Sequence, residues 1–341
     1  MQIRKISSME TEKKELLIFL LVTFGMPFLM SFPIGILFHT GKDVSSYTGA
    51  IQALYPAAGL MLSKIICDKN NSLMPKRLFI GFLSITGIMT LWCFSSFFLP
   101  DQTVLNGTSY LSMGGSITVV IFLFLEKGEN LSAYGLSAKN WKPCVLPLLW
   151  FLALCFVRIL LIYIDIGKPA ELLDIFSPFN LLSTFLMMSI SFFMTIAFFL
   201  GEEYGWRVYF QPLLQKKFGL IKGVFVFAVL WEIWHLPPII FDYAHTEEGM
   251  ATTFVQLILI RLITTMMFAI FLAYAYMKTH NVWLPALVHF LNNSYLLFLP
   301  TDEIRNQQLT WGMLGMYALF QMVLFLPFLF SKVFRKQRIA T

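Results

Sequence analysis

Apolar stretches of about twenty residues recur along almost the whole chain, and few folds tolerate that pattern. A run of roughly 17–25 apolar residues is the length a helix needs to cross about 30 Å of hydrocarbon. Ten such stretches are read here, at about 16–38, 50–66, 78–99, 109–125, 144–165, 182–212, 220–241, 251–277, 282–299 and 310–331. Two of them, 50–66 and 282–299, are short, so the expectation is an all-α, polytopic helical membrane protein with about 8–10 transmembrane helices. Composition agrees: 57% of the residues are hydrophobic, 13% are charged and 36 are Phe. The mean hydropathy of +0.72 excludes an ordinary soluble domain.

Charge placement gives the orientation. With the N-terminus inside and the spans alternating, the inside segments collect Lys13, Lys14, Lys64, Lys69, Lys76, Arg77, Lys127, Lys139, Lys142, Lys216, Lys217, Lys222, Lys278 and the basic C-terminal end. The outside segments hold only Lys42, Lys168 and Arg305. Such a positive-inside bias predicts an even number of spans, both termini cytoplasmic, and a multi-pass protein of the cell membrane. The net charge of +6 is then a matter of topology and contact with anionic lipid, with no nucleic acid as partner. The first apolar run continues into Pro33, Gly35 and further membrane sequence, so it reads as a span and not a cleaved signal. Cys67, Cys93, Cys144 and Cys155 lack metal-ligand spacing and read as buried hydrophobes without disulfides. Asn106-Gly-Thr108 fits a glycosylation sequon on an outside loop.

Charge at membrane depth costs several kcal/mol unless paired or hydrated, which makes such residues functional candidates. They cluster. Before about residue 180 the exception is Arg158, which Asp165 is placed to serve. After it come Glu202 and Glu203, then Glu232 and His235, then Arg261, then His289 and Asn293. The chain is therefore divided into a transmembrane scaffold over 1–180, a reactive core over 181–297, and a final helix with a basic tail over 298–341. No internal repeat supports an inverted-repeat transporter. Nothing in the sequence fixes an oligomeric state.

Spacing says how these groups meet. One long helix is expected to run from the sixth stretch to Lys216 and Lys217. Glu202 then lies about 21 Å from Lys216, and His235 about 20 Å from Lys222, at a rise of 1.5 Å per residue. The two would sit at similar depth on antiparallel helices, with His289 at a comparable or shallower level. Glu203 and Arg207 are four apart, in the favourable order for an ion pair. Trp206 is four residues from Glu202 and could shield that carboxylate, suiting it to act as a general base. Trp231 shares a helical face with His235, as His289 does with Asn293. His245 and His280 are expected in loops.

Three segments in order then carry a resemblance. Glu202-Glu-Tyr-Gly-Trp-Arg207, Trp231-Glu-Ile-Trp-His235 and His289-Phe-Leu-Asn-Asn293 resemble the EExxxR, aromatic-xxxH and HxxxN motifs of the CPBP family. That family holds the type II CaaX prenyl proteases and the bacteriocin-processing and immunity proteins. The resemblance covers roughly 182–296. It implies a helical intramembrane endopeptidase of glutamic type, in which Glu202 is the general base and His235 its partner. By the same resemblance His289 and Asn293 stabilise the oxyanion, and Glu203 and Arg207 are structural or position the substrate. It implies no metal cofactor. The substrate class is a hydrophobic or lipidated peptide: a prenylated CaaX tail, a peptide leader or a membrane-anchored regulator. The sequence departs from many bacterial members in carrying Val208 where they have Gly. Glu232, inside the second motif, is either a further acid or a partner for Arg261.

Other readings use the same residues. Glu202 and Glu203 could lie on the surface past a helix end, and the histidines and Asn293 could be interhelical hydrogen-bond glue. Glu232-Ile-Trp-His235 has the E-x-x-H spacing of di-iron bundles, but those need it twice. A zinc held by Glu202, His235 and His289 would leave room for a catalytic water. A non-catalytic immunity or scaffold protein, or a proton-coupled transporter, would keep the polar cluster for binding or relay.

Overall fold

A computed structural model describes residues 9–42, 44, 51–246, 254–298 and 310–335. It is helical, and no strand occurs among the described residues. Eight helices are long and apolar enough to cross a membrane, as expected for a polytopic helical membrane protein. The two short stretches form shorter helices, Tyr55–Cys67 with 13 residues and Trp283–Ser294 with 12. The four-residue 3-10 turn Tyr295–Phe298 follows the second. Both are wrapped in protein. Tyr55 through Met61 are buried without interruption, and so are Asn281 through Ala286. A helix enclosed by other helices does not need the full apolar length that lipid demands.

By contacts the chain sorts into two compact units that interleave along the sequence. The first takes residues 1–137, 194–209 and 237–241. Its N-terminal span is α1 (Met9–Leu20), a π-helical turn Leu21–Gly25, and α2 (Met26–His39). Next come α3 (Tyr55–Cys67), α4 (Lys76–Trp92), α5 (Asp101–Leu125) and the short α6 (Gly128–Ala133). Small residues set the spacing. A Cβ on Gly59 of α3 would lie 2.7 Å from Thr23 Oγ1 and 3.0 Å from the Phe19 carbonyl oxygen, so α3 lies directly on the first span. The aromatic side chains of Phe122 and Trp92 cover Gly81 and Gly107, which locks α4 to α5. Asn106 and Thr108 lie inside α5, not in a loop: Asn106 accepts a bond from Gln102 at 3.0 Å and Thr108 is buried. All four cysteines are free thiols, and three of them are buried.

The second unit takes residues 138–193, 210–236 and 242–341. It contains α7 (Lys142–Asp165), the short α8 (Glu171–Ile175), and the start of α9 (Pro178–Glu203), whose last turns belong to the first unit. After the π-helical segment Tyr204–Phe210 come α10 (Gln211–Phe218), α11 (Leu220–Thr246), α12 (Phe254–Thr279), α13 (Trp283–Ser294), α14 (Trp311–Phe325) and α15 (Lys332–Arg335). Its centre is α12, buried continuously from Met267 to Ala275. A helix apolar all round is one enclosed on every side. Phe271 stands edge-on to Phe325 and Phe328 and tilted against Phe151 of α7. Ile159, Tyr163 and Leu172 form a second apolar cluster, against which Tyr295 and Phe298 pack.

Candidate active site

The glutamates sit where the end of α9 presses on α3. A Cβ on Gly201 would lie 2.5 Å from the Ala53 carbonyl oxygen, and one on Gly205 would lie 2.4 Å from the Pro56 carbonyl. Only glycine allows backbones so close. The Gly201-x-x-x-Gly205 spacing is the small-residue signature of packed membrane helices, and it was readable in the sequence. Between these two glycines lie Glu202 and Glu203. Arg207 Nε donates to Glu203 Oε2 at 2.6 Å, and both side chains are fully sealed, at 0% exposure. The expected i,i+4 ion pair is therefore formed, and neither of its charges meets lipid. Glu202, about 100° further round the helix, is half-buried instead.

One long helix does run from Pro178 to Phe218, as expected, but it is not α-helical throughout. Residues 204–210 wind as a π-helix, the wider form that often marks functional positions. A wider turn rises less per residue, so the 21 Å from Glu202 to Lys216 is an upper bound. The Trp206 indole is fully buried, edge-on to Phe19 at 6.1 Å and tilted on Phe24 at 5.9 Å. Phe24 belongs to the π-helical turn of the first span. Val208, the departure from the bacterial pattern, faces Gly135, whose φ of +73 is open to glycine.

The histidines lie in the second unit, around one indole. His235 is tilted against Trp231 at 5.8 Å, and His289 of α13 stands edge-on to the same ring at 5.7 Å. Phe268 of α12 stacks on Trp231 at 6.2 Å and meets His289 at 5.7 Å. Three helices thus contribute to an aromatic cage around two imidazoles. The His235 Nδ1 lies 2.9 Å from the Trp231 carbonyl oxygen. A carbonyl only accepts, so Nδ1 is the donor in this bond, and in the neutral ring Nε2 keeps a lone pair. Pro237 and Pro238 follow without ending α11, which runs on to Thr246. Proline has no N–H, so each deprives the carbonyl four residues earlier of its helical donor. That leaves the turn holding His235 richer in acceptors.

Glu232 is settled as a partner of Arg261. Arg261 Nε donates to its Oε1 at 3.0 Å, and the Thr265 hydroxyl to its Oε2 at 2.6 Å. Oε2 also stands 3.9 Å from His235 Nδ1. Arg158 is a correction. It pairs with Asn292 and Tyr295 and not with Asp165: Nη1 donates to Asn292 Oδ1 at 3.2 Å and Nη2 to the Tyr295 hydroxyl at 2.6 Å. Asn293 is exposed, one turn from the buried His289. His245 is corrected from a loop to the end of α11, while His280 sits between α12 and α13 with φ of 49°. Among the described residues, no three His, Cys, Asp or Glu side chains are grouped to hold a metal ion.

Residues 180–295 match the family model described as Type II CAAX prenyl endopeptidase Rce1-like. Over that segment, about a third of the chain, the protein is similar to the Rce1-like CAAX proteases. It spans all three motif segments, from α9 to the last turn of α13. No curated protein and no solved structure matches the chain. The Rce1-like match supports a CAAX-type intramembrane endopeptidase and protease activity in general. Sequence reasoning passed over Asn292, Tyr295 and Thr265. Only the intramembrane charges of Arg158 and Arg261 signalled that such partners had to exist.

Proposed function

We propose that the protein is an intramembrane glutamic endopeptidase that cleaves a hydrophobic or lipidated peptide in the cell membrane, without a metal. In this reading Glu202 takes a proton from water, and the resulting hydroxide adds to the scissile carbonyl carbon. His289 and Asn293 donate to the oxyanion. As the tetrahedral intermediate collapses the C–N bond breaks, and the proton taken from water passes to the leaving amine. His235 holds and relays that proton at Nε2. Preorganised donors and a positioned base each contribute factors of about a hundred or more in such reactions. Glu203 and Arg207 hold the helix that carries Glu202. The functional division into scaffold and core, and cytoplasmic termini, belong to the same reading.

The observation that carries the proposal is the family match over the segment that holds all three motifs. The placement of His235 and His289 against a single indole supports it.

Cleavage is to be tested with detergent-purified protein and a farnesylated CaaX peptide bearing a fluorophore and a quencher. Glu202→Gln and His235→Ala are expected to lose at least about a hundredfold in kcat. Undiminished cleavage by Glu202→Gln would remove the assigned base. Loss of cleavage under a chelator, restored by zinc, would replace the metal-free mechanism with a zinc one. A wild-type protein that leaves every hydrophobic and prenylated peptide intact, while its Glu202 and His235 variants complement fully in cells, would identify a binding protein.

A further inference from the structure

Arg158 is 3% exposed, deep in α7, and has no carboxylate partner among the described residues. A buried cation that spends its hydrogen bonds on neutral groups is expensive, so its position calls for a reason. Its two acceptors bracket the end of the HxxxN segment: Asn292 Oδ1 at 3.2 Å and the Tyr295 hydroxyl at 2.6 Å, with the guanidinium carbon 4.1 Å from the Tyr295 ring centroid.

Hydrogen-bond chemistry fixes the rest. Arg can only donate, so Asn292 must turn its carbonyl oxygen toward Arg158 and its NH2 the other way. That NH2 donates to Asn293 Oδ1 at 3.5 Å. Asn293 in turn has its oxygen engaged by Asn292, which leaves its own NH2 to donate elsewhere, on a residue that is exposed. The far end of the chain is therefore two donor hydrogens whose direction is set by a guanidinium two side chains away. The positive charge behind them also favours a developing negative charge in front.

We propose that Arg158 is a positioning residue which, through Asn292, locks the Asn293 amide with its NH2 toward the substrate oxyanion. This rests on the reading of Asn293 as an oxyanion donor. Without the relay the amide can turn its oxygen outward, where it repels the oxyanion it should bind.

Two measurements test it. In kinetics with the farnesylated CaaX peptide, Arg158→Met and Asn292→Ala are expected to lower kcat about tenfold or more with KM changed less than about twofold. Tyr295→Phe, which keeps the ring but removes one acceptor of Arg158, is expected to give a smaller loss. The decisive comparison is the double variant Arg158→Met with Asn293→Ala, expected to be no slower than Asn293→Ala alone. Multiplying losses would mean that Arg158 acts on the fold and not through Asn293, and would overturn the relay. An unchanged kcat in Arg158→Met would do the same. The second measurement needs no activity: asparagine side-chain amide NMR signals in selectively labelled protein, assigned with Asn292→Ala and Asn293→Ala. Arg158→Met is expected to shift and broaden the Asn293 amide pair, and an unmoved pair sinks the relay. If the wild-type protein cleaves nothing but the amide signals respond, the functional reading has failed and the relay stands.

Discussion

Each of the two units holds one glutamate–arginine pair, and the two pairs are built differently. Glu203 and Arg207 lie within one turn of α9 and its π-helical continuation, at 0% exposure on both sides. Glu232 and Arg261 join α11 to α12, with the carboxylate at 4% and the arginine at 36%. The first pair is local in sequence and dry. The second is assembled from two helices, is open on its cationic side, and has Thr265 as a second donor. A sealed pair cannot lose one member without stranding a charge in a medium that does not solvate it. A half-open pair can be compensated by water or by its remaining donor. A sealed pair is suited to holding a backbone, the role proposed above, whereas the half-open one is suited to tuning the field beside His235, 3.9 Å from Glu232.

The largest expected effect comes from breaking the sealed pair. Arg207→Met or Glu203→Ala is expected to destabilise the protein by about 3–5 kcal/mol. Equilibrium unfolding in detergent measures this, and a cost below about 1 kcal/mol would mean that the pair is hydrated after all. Next is the seam beside it. Gly205→Ala brings a Cβ to 2.4 Å from the Pro56 backbone, which cannot turn aside as a side chain can. An overpacking cost of about 1–3 kcal/mol is expected, visible as a lowered melting temperature. A neutral result would show that α9 and α3 are further apart. The smallest effect belongs to the open pair. Arg261→Ala is expected to cost less than either of these, because water can enter at the open arginine side and Thr265 still donates to Glu232. A loss as large as that of Arg207→Met would erase the distinction between the two pairs.

Much of this was legible beforehand. The eight long spans follow from apolar length alone, because a helix must cover the hydrocarbon thickness. The Glu203–Arg207 pair follows from i,i+4 spacing, since both partners ride on the same helix. What eluded the sequence has a common cause. The π-helical turn at 204–210 leaves no composition signal, because the same residues could wind as an α-helix. Proximity in sequence points Arg158 to Asp165, whereas its partners Asn292 and Tyr295 are 134 and 137 residues away. Spacing leaves Glu232 open between a further acid and a partner for Arg261, because that arginine is 29 residues away on another helix.

The sequence by itself determined that the chain lives in a membrane, that its ionisable groups gather between α9 and α13, and which motifs they form, because hydrophobicity and helical period are local properties. Tertiary structure alone decided that two histidines flank one indole and that a distant arginine bonds the asparagine beside Asn293. Those contacts join helices far apart along the chain, and the energy that selects them is the cost of leaving a buried polar group without a partner, which no short window of sequence encodes.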